Sequence, residues 1–447
     1  MKRQARPLLS IGFLLATSQF ASARLAEPSQ QELVEQIRAL QTKVQELETK
    51  QQAAKLSAQQ VDATVQRVME DANRRSQLLA EMPMSSSWNN GKLLFQSDDG
   101  NFVLHPSFQF QFRSVTAARY TSSDYNVEDG FELRRMKLGV DGNVFSPKTT
   151  FNFLWATNRK DGSVQLEEAW VRQALTAEWS ILGGQFKTPF AHESIVSSKR
   201  VLAAERTLGT VFFTGGDNFV QGVSGIYSRD TWRAQAAFHD GARNNFNQGF
   251  RDFPTNNADW GAGGRVEFKI AGDWKAYDDF SALSAKKELL VIGGGVDYTE
   301  AGNTAFLLET IDAQYKNPNG LAVYGAFIGR FTRNGPVSPA TPTAPENDLF
   351  DWSLVVQGSY LLKNNWEPFL RYDLLRFDED GLATGSENIV HTITVGANYY
   401  FHGHDSKLTF DLLYLPNGSP IAEDGAGILV SDGDAEIIFR AQYQLLL

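Results

Sequence analysis

The chain has 447 residues, a formal charge of −10, 12% aromatic residues and no cysteine. The acidic balance argues against a nucleic-acid-binding protein, and the missing cysteine excludes disulfides, thiolate catalysis and Cys-type zinc sites. Past the first thirty residues no run of about 18 apolar residues occurs, so no transmembrane helix is expected. A mean hydropathy of −0.31 leaves a transmembrane barrel open, because alternating apolar and polar residues cancel in an average.

Residues 1–23 read as a secretory signal peptide. Lys2, Arg3 and Arg6 precede a short apolar core, Pro7 to Thr17, and Ala21-Ser22-Ala23 fits an A-x-A cleavage site. The core is too short for a membrane anchor, which needs roughly 20 apolar residues.

Residues 24–82 read as a helical stalk. From Gln30 to about Ala80 there is no proline or glycine, and most residues are good helix formers. Leu33, Ile37, Leu40, Val44, Leu47, Ala54, Ala58, Val61, Val65, Val68, Ala72 and Leu79 recur at steps of three and four, interrupted only at Gln51 and Arg75. That heptad pattern predicts a coiled coil, and hence self-association. The competing reading, an amphipathic helix packed on its own domain, needs a partner surface about 75 Å long at 1.5 Å per residue. Residues 83–100 read as a linker.

From 101 to 447 the periodicity changes from helical to two-residue. Phe108, Phe110 and Phe112 alternate with Gln109, Gln111 and Arg113, and Ile437, Phe439, Ala441 and Tyr443 alternate with Glu436, Arg440, Gln442 and Gln444. About sixteen strands are expected, roughly at 107–118, 130–141, 149–157, 164–174, 178–187, 219–228, 231–239, 260–269, 289–298, 305–316, 321–331, 352–361, 365–376, 391–402, 406–415 and 434–446. A soluble sandwich would also alternate. Aromatic residues near the strand ends, and links that alternate between short turns and long polar loops, favour an outer-membrane barrel instead. Two links break the rule: 270–288 is long where a short turn is due, and 299–304 is short where a loop is due. The fold class expected is therefore all-β, a 16-stranded antiparallel transmembrane β-barrel with an N-terminal α-helical coiled coil. Sixteen strands enclose a lumen wide enough for water, and passage of small polar solutes needs no covalent chemistry.

The stretch Gly183-Gly184-Gln185-Phe186-Lys187-Thr188-Pro189-Phe190, the following Ser197-Ser198 and Glu205-Arg206, and the strand carrying Arg134-Arg135 together resemble the phosphate-selective porin O and P family. The resemblance spans roughly 100–447. It implies a homotrimeric porin of the outer membrane that carries anions past basic side chains, with the third long loop folded into the lumen. Here the third long link, 188–218, is the longest. The chain departs from the pattern of outer-membrane barrels in ending on Leu447 rather than Phe, and the family's basic ladder is not matched residue by residue.

A narrow pore lined by Lys and Arg favours anions, because low-dielectric walls strengthen each charge. Lys187, Lys199, Arg200 and Arg206 stand against Glu193 and Glu205, a local inversion in an acidic chain. Arg135 and Lys137 share a strand face opposite Met136 and Leu138 and should point into the lumen. Arg113, Arg172, Arg371 and Arg440 are lumen candidates by the same alternation. The bland alternative is that these arginines pair with acids such as Asp373 and Glu436 and only stiffen the wall. The expected partners are a second and third copy of the chain, outer-membrane lipid and small anions such as phosphate. No enzyme activity, metal, cofactor or nucleic-acid partner is expected. His402-Gly403-His404 reads as a turn, Asp378-Glu379-Asp380 and Asp432-Gly433-Asp434 as acidic loops, and Gly293-Gly294-Gly295 as part of a strand. A second function class is a structural tether, in which the periplasmic stalk grips the cell wall and the barrel is its anchor.

Overall fold

The computed structural model describes residues 34–35, 38–50, 63–72, 84–89, 92–120, 125–158, 161–214, 219–241, 258–335, 347–382, 386–423, 425–429 and 433–447. The expected signal peptide lies outside the described residues, as does much of the stalk. The chain divides into two compact units, Met1–Glu81 and Met82–Leu447. In the first unit, residues 38–50 and 63–72 are helical. Leu40, Val44, Leu47, Val65 and Val68 of the heptad seam are exposed on them. No described helix is long and apolar enough to cross a membrane.

Among the described residues the second unit holds eighteen strands. The first two, β1 (Met84–Asn89) and β2 (Lys92–Ser97), form a hairpin where the sequence suggested a linker. Sixteen more follow: β3 (Val103–Tyr120), β4 (Tyr125–Asn143), β5 (Thr149–Thr157), β6 (Val164–Ala174), β7 (Trp179–Lys187), β8 (Phe219–Ser228), β9 (Trp232–His239), β10 (Trp260–Ala271), β11 (Leu289–Ala301), β12 (Thr304–Lys316), β13 (Leu321–Gly335), β14 (Asn347–Tyr360), β15 (Trp366–Arg376), β16 (Ile389–His402), β17 (Ser406–Leu415) and β18 (Ala435–Leu446). Each pairs antiparallel with the next, and β18 pairs with β3, from Ala435 opposite Tyr120 to Leu446 opposite Gln109. Closure gives each strand of the β3–β18 ring a partner on both sides, which a hydrocarbon surround requires.

The outer face carries aromatic rows near both rims. Trp179, Tyr227 and Trp232 pack at 4.8 and 4.7 Å between centroids near the short turns. Phe238, Trp260 and Tyr298 pack at 6.1 and 5.3 Å near the long loops. Amphipathic rings at these depths sit at the membrane–water boundary.

Among the register shifts of the described strands, two β-bulges break the two-residue period beside paired charges. Between β3 and β4, Gln111 faces Arg135 and Phe112 faces Leu133, so Arg134 is the extra residue. Between β5 and β6, Leu154 faces Glu168 and Trp155 faces Leu166, so Glu167 is the extra residue. An extra residue shifts the phase of alternation by one. Each bulge thereby turns a pair of adjacent charges, Arg134-Arg135 and Glu167-Glu168, inward together. Strict alternation would leave one of each pair facing lipid, where an Arg costs about 2–4 kcal/mol at the midplane and a carboxylate less.

Candidate functional site: the inward-folded loop and its basic surround

The link after β7 runs inward. It contains short helices His192–Ile195 and Leu208–Thr214 with a 3₁₀ turn, Ser198–Arg200, between them. The motif at its entrance explains itself residue by residue. Gly184 has φ +131°, and a Cβ there would lie 2.1 Å from the Ala169 carbonyl, so glycine alone fits. Gln185 Nε2 donates to the carbonyls of Leu166 and Glu167, each at 2.9 Å, and so satisfies backbone that the β6 bulge leaves unpaired. Lys187 Nζ donates to the Ser194 carbonyl at 2.9 Å, at the end of the first short helix. The Phe190 carbonyl accepts from Arg265 Nη1 at 2.9 Å. On the facing strand, a Cβ at Gly293 would strike the Arg265 guanidinium at 2.1 Å, and one at Gly295 the Phe190 oxygen at 2.5 Å. The glycine run of β11 thus makes room for the loop and its anchor.

The wall then holds the loop backbone from several sides. Lys407 Nζ donates to the Val201 carbonyl at 3.0 Å, Asn398 to the Leu202 carbonyl at 2.9 Å, and Gln444 to the Lys199 carbonyl at 3.1 Å. Arg371 Nη1 donates to the Glu205 carbonyl at 2.9 Å, and the Ala204 amide donates to Asp411 at 2.8 Å. Asp411 is also paired with both forks of Arg440, at 2.7 and 2.9 Å. An apolar cluster containing Phe190, Leu208, Phe213, Leu375, Leu413 and Ile438 fills the space between loop and wall.

Glu205 is the centre of the arrangement. Its carboxylate accepts from Arg113 at 2.9 Å, from Arg134 at 2.5 Å and from Arg135 at 2.8 Å. Burial opposes its charge, but the three guanidiniums, Arg134 first, outweigh burial and hold the carboxyl well below its usual range. Arg113 also pairs with Glu132 and donates to the Gly425 carbonyl at 2.6 Å.

The candidate residues therefore divide into two sets. Arg113, Arg135, Lys137, Lys187 and Arg206 face inward but are committed. Lys137 pairs with Glu167, and Arg206 donates to the carbonyls of Glu193 and Val196 at 2.9 Å each. Arg371 lies 3.0 Å from Asp373. Arg172, Lys199 and Arg200 have no carboxylate within ion-pair distance among the described residues. Arg172 Nε donates to Ser180 at 2.8 Å, and Arg200 is exposed, reaching only the Asp278 carbonyl at 3.4 Å. Burial, then the charges of Lys137 and Arg200, lower the Lys199 ammonium.

The alternation missed Arg134, which the bulge brings in. It also missed the role of 272–288. This link, long where a short turn was due, folds inward from the turn end. Lys316 Nζ donates to the carbonyls of Ala276 at 2.8 Å and Ser281 at 2.6 Å. The Phe280 amide donates to the Arg200 carbonyl at 3.2 Å, joining this link to the loop. His404 lies 3.0 Å from Asp279, so the His402–His404 turn is tied to the insertion. The excess length of 270–288 was the available signal.

The lumen is filled unevenly. Lumen-facing residues of β11–β18 are largely buried beneath the inward segments, whereas β5 and β6 have no buried residue at all.

Residues 110–293 match the family described as phosphate-selective porin O and P. The chain is 24% identical over 331 residues to an uncharacterised protein of Aquifex aeolicus strain VF5, covering 66% of this chain and 78% of that one. Among solved structures it is similar to an anion-selective porin from Comamonas acidovorans, with TM-score 0.56 at 13% identity, covering 77% of this chain and 99% of that one. The outer membrane channel DcaP of Acinetobacter baumannii gives TM-score 0.50 at 12% identity, covering 78% and 99%. By its closed sixteen-stranded barrel the chain has the porin fold, and within it residues 110–293 match the phosphate-selective porin O and P family.

Proposed function

We propose that the chain is an outer-membrane porin that passes small polar solutes and prefers anions, phosphate being the solute the family resemblance implies. The passage runs between the inward loop and the wall formed by β5 and β6, where no residue is buried. The observation that carries this reading is the uneven pairing of charge. Most lumen acids are neutralised by Arg or Lys, while Arg172, Lys199 and Arg200 keep no carboxylate partner among the described residues. Uncompensated cations in a narrow lumen attract anions, and several weak sites let them leave again. Reversal potentials of the full chain in a planar bilayer under a KCl gradient test it. Anion preference is expected, and cation preference would overturn it. Conductance in phosphate against chloride ranks the solutes.

The same chain is read as a homotrimer. The exposed Leu40, Val44, Leu47, Val65 and Val68 favour a coiled coil between copies. Cross-linking of the full chain should give trimers, and dimers would contradict this reading. The tether is a second role for the same helices: deleting 30–80 should weaken envelope adhesion, and unchanged adhesion removes the tether.

A further inference from the structure

A cavity of about 220 Å³ lies on the turn side of the loop, enclosed by the loop, the 272–288 insertion and the wall strands. At roughly 30 Å³ per water it has room for about seven. Three guanidiniums line it, and two are already committed. Arg265 is bonded to Asp312 through both terminal nitrogens, each at 2.8 Å, and to Glu267 at 2.6 Å. Arg233 pairs with Glu267 and lies 4.5 Å from the centre of the Trp274 ring. Arg172 spends only its Nε, on Ser180, and its two terminal nitrogens have no partner among the described residues. Pro189, Ile195 and Ile226 give it an apolar side. Glu267, held by Arg233 and Arg265, and Asp278, 3.9 Å from Arg233, complete the lining.

We propose that this cavity is a resting site for a small organic monoanion with an apolar body, held by a charge-assisted fork to Arg172 and packed against Ile195 and Ile226. The inference rests on the anion passage proposed above and names its ligand class at one point along it. One uncommitted cation matches one negative charge. A second negative charge would find no further uncommitted cation and would meet the carboxylates of Glu267 and Asp278 in the same lining, where like charges repel. The apolar side gains nothing from a fully hydrated inorganic ion but buries a hydrocarbon body.

The test uses the full chain in planar bilayers, with sodium benzoate as probe and inorganic phosphate as the comparison. Benzoate added on the turn side should interrupt the KCl current of the wild type at lower concentration than phosphate does. The concentration for half-interruption should rise at least tenfold in Arg172→Gln and several-fold in Ile195→Ser. The KCl conductance of each variant reports that its barrel has folded. An unchanged benzoate response in both variants overturns the site, and so does phosphate acting as strongly as benzoate on the wild type. Anion preference under a KCl gradient with no benzoate effect overturns this site alone, whereas cation preference overturns the passage on which it rests.

Discussion

Replacing Glu205 by Gln tests the central claim about the loop. The carboxylate binds Arg113, Arg134 and Arg135. The amide keeps the volume, removes the charge and points an N–H₂ at one guanidinium. Removing one partner from a buried ionic group costs about 3–5 kcal/mol. Against that stand bonds the substitution leaves intact, from Arg265, Lys407, Asn398, Gln444 and Arg371 to loop carbonyls and from the Ala204 amide to Asp411, each contributing about 1 kcal/mol. The two totals are close, so the loop should stay docked for most of the time and detach far more often. The lumen also gains one net positive charge, which at contact in water favours an anion by about 1 kcal/mol, roughly a fivefold change in the anion-to-cation ratio. Single-channel recording reads both effects: Glu205→Gln should show more frequent conductance steps and a reversal potential shifted toward anions. A variant with wild-type noise and wild-type reversal potential would refute the reasoning.

Three further outcomes are expected. His192 is buried on the loop, stacked 3.7 Å from Tyr277 and 2.8 Å from Gln314; burial, partly offset by Asp312, depresses its imidazole to about 4. A base with a depressed folded value binds fewer protons than the unfolded chain, so this contribution is harmless above about pH 6.5 and destabilises progressively between about 6.5 and 4, by up to about 3 kcal/mol. Channel noise or melting temperature followed down this window should reveal the loss, and His192→Gln should flatten it; an equally steep wild-type and variant profile counts against the assignment. Lys199→Glu with Arg200→Glu should turn the reversal potential toward cations without loosening the loop, whereas Arg206→Ala should loosen the loop, since Arg206 holds the carbonyls of Glu193 and Val196. Shortening 274–284 to a tight turn should raise conductance, because it removes a segment that folds inward from the turn end onto Lys316 and the loop; unchanged conductance would place the constriction wholly on the loop.

The sequence by itself determined the barrel. Sixteen alternating segments, their order and the aromatic rims are all local or pairwise-adjacent properties, written in spacing and loop length, whereas the inward third loop was what the family resemblance implied, with the length of 188–218 in keeping. The expected strand at 149–157 coincides with β5, and that at 406–415 with β17. The lumen-facing placement of Arg113, Arg135, Lys137, Arg172, Arg371 and Arg440 also followed from period two. Only the tertiary structure decided which of these charges are spent. Glu205 meets Arg113, ninety-two positions away, and Arg113 meets Gly425, 312 positions away. No spacing rule reaches that far. Nor does alternation see a bulge, because one inserted residue reverses the phase beyond it, and so Arg134 and one of the two adjacent glutamates turn inward against the pattern. The described lumen acids are largely partnered by arginine and lysine, and the cations left without a carboxylate partner among the described residues are Arg172 on β6 and Lys199 and Arg200 on the loop.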